Sequence, residues 1–149
     1  MTRMTRILVL QGPNLNLLGT RQPEIYGGET LAEIHAAVRR RAAELGVSVD
    51  VYQSNHEGAL VDRVQMVDFD GAIVNAGAYT HTSVALRDAL LAVQRPFVEV
   101  HLSDPASREP FRRTNFLEDV ALASFAGMRG RGYVAALERL VGHLGARHD

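Results

Sequence analysis

The chain has no cysteine, no lysine and no tryptophan. Without cysteine there is no disulfide framework, thiol nucleophile, iron–sulfur cluster or cysteine-rich zinc site, and the composition points to a reducing, cytoplasmic setting. The missing lysine is masked by the charge count, because all 16 basic residues are arginine. Its absence excludes imine chemistry on the protein, a lysine-anchored pyridoxal phosphate and a phosphate-loop lysine. An excess of one charge is also lacking: 16 basic against 17 acidic residues leave a net charge of −1, so nothing in the balance calls for nucleic acid or an anionic membrane as partner. Nor is there a long apolar run. The aliphatic stretch nearest the N-terminus, Ile7 to Leu10, is far too short for a signal-peptide core or a membrane span, so the chain is expected to stay in the cytosol.

What is present is ordinary globular composition, with 46% hydrophobic and 22% charged residues over 149 positions, enough for one domain over 1–149. Ile7-Leu8-Val9-Leu10 reads as a strand buried on both faces, and Val47, Val49 and Val51 alternate with polar residues as a second. Further strand-like runs lie at Ala72 to Val74, Phe97 to Val100 and Leu122 to Ala126. Helical periods fall between them, over Leu31 to Leu45, Leu60 to Val67, Val84 to Val93 and Val134 to Leu144. Thr30 with Glu33 forms a capping box for the first of these helices, Gly46 provides its left-handed stop, and Pro96 closes the third. This alternation predicts an α/β fold: a doubly wound five-stranded parallel sheet, flavodoxin-like in order 2-1-3-4-5, with helices on both faces. Ligands of such sheets sit beyond the carboxyl ends of the strands, so function is sought after residues 10, 75 and 100.

Three stretches occupy those ends. The first runs from Gln11 to Glu29, far longer than the usual connection of about two to six residues. Its leucines, with Ile25 and Tyr26, are able to dock, and its glycines offer hinges, so residues at about 19–29 are read as a lid. The second, Asn75 to Ser83, sets an amide and the His81 imidazole just ahead of a helix whose free N–H groups favour a carboxylate. Thr80 to Ser83 equally suit plain capping of that helix, with His81 a solvated loop residue. The third, Glu99-Val100-His101-Leu102-Ser103, sets Glu99 and His101 on one face of a strand as a carboxylate-backed acid–base pair. Arg108 and Arg112 follow, four apart, on one face if the segment is helical or else as a solvated pair. The six histidines, at 35, 56, 81, 101, 143 and 148, show no metal-ligand pairing. Gly127 to Tyr133 reads either as a small anion nest or as the loop before the last helix.

The motifs Gly12-Pro13-Asn14-Leu15-Asn16, Leu18-Gly19, Arg21, Pro23 and Tyr26-Gly27 closely resemble the signature of the type II 3-dehydroquinate dehydratases. Gln53 to Gly58, Gly77 to Ser83, Arg87 to Leu90 and Glu99 to Ser103 resemble that family's other motifs, in order and at its spacing, over essentially the whole chain. The resemblance implies a flavodoxin-like fold and a lyase of the shikimate pathway, serving chorismate and aromatic amino acid biosynthesis, or else of quinate breakdown. It implies anti elimination of water from 3-dehydroquinate to 3-dehydroshikimate through an enolate, with no Schiff base, no cofactor and no metal. The absence of lysine independently favours that route, because the other dehydroquinase class works through an imine.

By the same resemblance Tyr26 is the base that removes the C2 proton. A free tyrosine is ionised only to about one part in a thousand at pH 7, so a phenolate needs help, which the resemblance assigns to Arg21. Asn14 would hold the enolate oxygen through an ordered water, and His101, held by Glu99, would protonate the departing C1 hydroxyl. Asn75 with Leu102 and Ser103 would take the substrate carboxylate, and His81 and Arg112 the ring hydroxyls. Asp88 would reach a neighbouring subunit's lid arginine and substrate across a trimer interface, in a homo-oligomer that is a dodecamer built of trimers.

The chain departs from the family pattern at Ala76, at Asp104 to Ser107 and at Thr114-Asn115-Phe116. Rival classes fit less well. A receiver module needs an acidic pocket after the first strand and a late lysine, and a flavin site usually wants a hydroxyl-rich loop with flanking aromatics; neither set is present. An inactive flavodoxin-like paralogue, acting as an interaction or regulatory module, is the remaining alternative, and the intact set of site residues argues against it.

Overall fold

Five short runs rich in apolar residues form the strands of the chain, here a computed structural model that describes residues 3–20 and 22–148. They are β1 (Arg6–Gln11), β2 (Ser48–Gln53), β3 (Gly71–Asn75), β4 (Phe97–His101) and β5 (Ala123–Ala126). All pair in parallel, in the order β2-β1-β3-β4-β5, as the alternation of strand and helix predicts. The central strands β1, β3 and β4 are buried on both faces, and they are mostly apolar apart from the polar residues at their carboxyl ends and the buried Glu99 of β4, whereas β2 and β5 lie at the edges and alternate.

Two apolar clusters sandwich the sheet. On one face Ile7 and Val9 pack with Ile34, Val38 and Ala42 of α2 (Leu31–Leu45) and with Tyr133, Leu137 and Leu140 of α5 (Arg131–His148). On the other, Leu8 and Leu10 meet Leu60 and Val64 of α3 (Glu57–Gln65) and Leu86 and Leu90 of α4 (Val84–Val93). Successive β1 residues thus feed opposite cores, as the two-residue period of a strand requires. Helix α2 starts where Thr30 accepts from the Glu33 backbone N–H and the Glu33 carboxylate accepts from that of Thr30, and it stops at Gly46 with φ +73°.

The long connection after β1 is anchored at its start. Leu15 and Leu18 are buried in the α2/α5 core, while Leu17, expected to dock with them, is 46% exposed. A single helical turn, α1 (Pro23–Tyr26), follows, and Tyr26 packs against the same core. Residues 127–130 form a turn ahead of α5 in which Gly127 and Arg129 take positive φ. Among the described residues no helix is long and apolar enough to cross a membrane, and no group of three or more His, Asp or Glu side chains is set to hold a metal ion.

Candidate active site

The carboxyl ends of β1 and β3 lie side by side, with Gln11 in register with Asn75 and the Gly12 N–H donating to the Asn75 carbonyl oxygen at 2.8 Å. Gly12 leaves no room for a side chain, because a Cβ there would come within 2.3 Å of the Ala76 carbonyl oxygen. Above this seam, at the switch point of the sheet, opens a pocket of about 260 Å³. Its walls come from the long β1 connection (Asn14, Tyr26), from the end of β3 (Asn75, His81), and from the end of β4 and the turns after it (His101 to Ser103, Arg108, Arg112).

Tyr26 enters the pocket from α1 and receives a hydrogen bond from Arg108 Nη1 at 2.9 Å. The Arg108 guanidinium carbon also sits 5.2 Å from the centre of the tyrosine ring. Arg108 and Arg112 do not share a helix: the first closes the 3₁₀ turn Pro105–Ser107 and the second belongs to the 3₁₀ turn Pro110–Arg113. Both nevertheless line the pocket, and Arg112 is held by an ion pair with Glu109. Arg21, the cation expected beside Tyr26, lies outside the described residues.

His101 and Glu99 come together as their strand spacing predicts. His101 Nε2 and Glu99 Oε2 approach to 2.9 Å without the alignment of a hydrogen bond, which leaves Nδ1 as the other ring nitrogen. Glu99 is fully buried, and its other oxygen accepts from Asn115 Nδ2 at 3.1 Å and from Ser124 Oγ at 2.8 Å. Burial pushes the Glu99 carboxyl up, but His101, Ser124 and Asn115 together outweigh it and hold the group below its ordinary value. A carboxylate kept ionised beside the ring is what an imidazolium acid needs.

The polar groups available for binding line the same pocket. Asn75 is buried at the pocket base, its Oδ1 accepting from the Gly77 N–H at 3.1 Å, with Gly77 in the left-handed region at φ +58°. His81 Nδ1 is 2.7 Å from the Thr114 carbonyl oxygen. That oxygen only accepts, so the proton belongs on Nδ1 and Nε2 is left for a ligand. Asn14 takes φ +68°, and its N–H is fixed by Asn55 Oδ1 at 3.0 Å. Leu102 and Ser103 follow His101 along the same wall.

Asp88 is not part of this pocket; it is exposed on α4. Some groups that the structure brings in carry no local sequence signal. The spacing of Arg108 points only to Arg112, whereas its contact with Tyr26 spans 82 residues. Asn115 stood out only as a departure from a pattern, and Ser124 not at all, yet both bind Glu99.

Comparison with known proteins agrees with this geometry. The family profile described as "Dehydroquinase class II" matches residues 5–141. The 3-dehydroquinate dehydratase of Bordetella avium is 58% identical over 140 residues, covering 92% of this chain and 97% of that protein. The catabolic 3-dehydroquinase of Aspergillus oryzae is 48% identical over 145 residues, covering 96% of this chain and 95% of that one. The crystal structure of a type II dehydroquinase from Butyrivibrio crossotus superposes with a TM-score of 0.89 at 40% identity, covering 92% of this chain and 97% of that chain. A match along nearly the whole sequence, joined to the same sheet order and a pocket at its switch point, leaves one conclusion: the chain belongs to the class II dehydroquinase family.

Proposed function

We propose that this pocket eliminates water from 3-dehydroquinate in the anti sense through an enolate, with Tyr26 taking the C2 proton and His101 protonating the departing C1 hydroxyl. The overall reaction is that of the family: the chain is a 3-dehydroquinate dehydratase, a carbon–oxygen lyase. The observation that carries the assignment of the base is the hydrogen bond from Arg108 to the Tyr26 oxygen, since a donor cation stabilises a phenolate over a phenol. Arg21 adds a second cation from the lid, residues 19–29, when that loop covers the site.

The remaining steps use groups already described. Proton loss from C2 moves charge onto the C3 oxygen, where Asn14 holds the enolate through an ordered water. Collapse of the enolate expels hydroxide from C1, and His101, held against Glu99, gives it a proton. Asn75, with Leu102 and Ser103, receives the substrate carboxylate, and His81 and Arg112 bind the ring hydroxyls. Tyr26 gains one proton and His101 loses one, so the elimination releases water and the enzyme resets by proton return. No step draws on a metal, a cofactor or a Schiff base.

The working unit is a homo-oligomer, a dodecamer of trimers, with the 1–149 domain as its repeating catalytic piece and Asp88 of each subunit reaching a neighbour's lid arginine and substrate. In support, Val84, Asp88 and Leu91 share one face of α4, and the two apolar residues are 51% and 46% exposed, as suits a surface that a second subunit covers. The setting is the cytoplasm, and the reaction belongs to the shikimate pathway or to quinate catabolism.

The test uses 3-dehydroquinate carrying deuterium at C2 on the side anti to the C1 hydroxyl. The conjugated enone is expected to appear with loss of the label, in the presence of a chelator. Retention of the label would mean syn elimination and a different arrangement of acid and base.

A further inference from the structure

Behind the pocket, four side chains form an unbroken line of hydrogen bonds through the core. Asn75 Nδ2 donates to Tyr133 Oη at 2.7 Å, Tyr133 Oη donates to Gln11 Oε1 at 2.7 Å, and Gln11 Nε2 lies 3.1 Å from His35 Nε2. Gln11 and Tyr133 are 0% exposed, Asn75 3% and His35 9%. The elimination scheme uses only Asn75. Burying three further polar side chains costs free energy unless each is satisfied, so the line calls for a reason.

We infer that Tyr133, backed by Gln11 and His35, is a positioning residue that fixes which way round the Asn75 amide faces the substrate. The polarity of the line follows from donors and acceptors alone. The Gly77 N–H can only donate, which commits Asn75 Oδ1 to it and Nδ2 to the other side. Tyr133 has one proton, and Gln11 Oε1 takes it, so the phenol oxygen faces Asn75 as an acceptor. Gln11 must then present Nε2 to His35, whose Nε2 accepts as neutral imidazole. Burial, helped by Arg39, holds His35 below its ordinary value and so favours that neutral form.

An inverted Asn75 amide would set Nδ2 against the Gly77 N–H and Oδ1 against the lone pairs of Tyr133. Both bonds would be lost together. In the fixed orientation one Nδ2 proton is held by Tyr133, and the second is free to meet a carboxylate in the pocket that Asn75 lines. Tyr133 thereby sets affinity for the substrate carboxylate from the first turn of α5, without touching the substrate.

The inference rests on the proposed carboxylate-binding role of Asn75, and the experiment separates the two. Steady-state kinetics with 3-dehydroquinate are measured for the wild type, Asn75→Ala, Tyr133→Phe and the double variant, each checked for fold by circular dichroism and thermal melting. Tyr133→Phe is expected to raise KM about 10-fold with kcat within about two-fold, the signature of lost binding shared by ground and transition states. The double variant is expected to match Asn75→Ala, because Tyr133 acts through that amide. If Asn75→Ala raises KM while Tyr133→Phe does not, or if the two effects multiply in the double variant, the positioning role is overturned. An unchanged KM in Asn75→Ala would instead remove the carboxylate role itself. Should Tyr133→Phe fail to fold, Gln11→Met frees the tyrosine proton to turn toward Asn75 and is expected to raise KM likewise; a wild-type KM there would overturn the inference.

Discussion

Glu99 has no contact with solvent, yet the surroundings keep it charged. Its carboxyl titrates in the folded protein below the ordinary value of 4.5, so the folded state binds its proton less readily than the unfolded chain. The stability this brings is fully present above 4.5 and is lost as pH falls through the lower folded value. Asn115 supplies one of the hydrogen bonds responsible. Asn115→Ala is therefore expected to cost about 1.5–3 kcal/mol at neutral pH, the range for a hydrogen bond to a charged group. Urea denaturation across the acid range checks this: the gap between variant and wild type narrows once Glu99 is protonated in both. A gap independent of pH would mean that Asn115 acts only through its Oδ1 bonds to the Leu117 and Glu118 N–H groups.

At the scale of elements, strands and helices were legible because their signals are local. An aliphatic run marks β1, alternation marks β2, and Thr30, Glu33 and Gly46 mark both ends of α2. The site was legible where it lies at strand ends: Asn75, Glu99 and His101 follow from position on the sheet, and Tyr26 and Asn14 from the resemblance. The segment from Pro105 to Val120 was not. It folds as three short 3₁₀ turns, which have no apolar period to read, and it turns Arg108 and Asn115 inward for contacts with distant residues and sets Arg112 on the pocket wall. The same holds for the line behind Asn75, where Tyr133 and Gln11 are 122 residues apart and each alone reads only as the end of a loop segment. The single turn α1, which carries Tyr26, is likewise too short to have a period.

For the whole molecule, Asp88 is exposed and does not line its own pocket, so in the proposed trimer catalysis is a property of neighbouring subunits. Two inactive variants should then repair each other. Tyr26→Phe and Asp88→Ala subunits, dissociated, mixed and reassembled, give some sites with an intact Tyr26 from one subunit and an intact Asp88 from the other. Random pairing makes these about a quarter of all sites. Activity is expected to return on mixing, and its failure to do so in reassembled particles would place Asp88 outside the site. The base itself is tested most directly by one further measurement, the rate of enone formation from 3-dehydroquinate by Tyr26→Phe, which removes only the hydroxyl that Arg108 binds. The account predicts a fall in kcat of at least about 100-fold with fold and assembly intact; turnover near that of the wild type would contradict it and require another group to take the C2 proton.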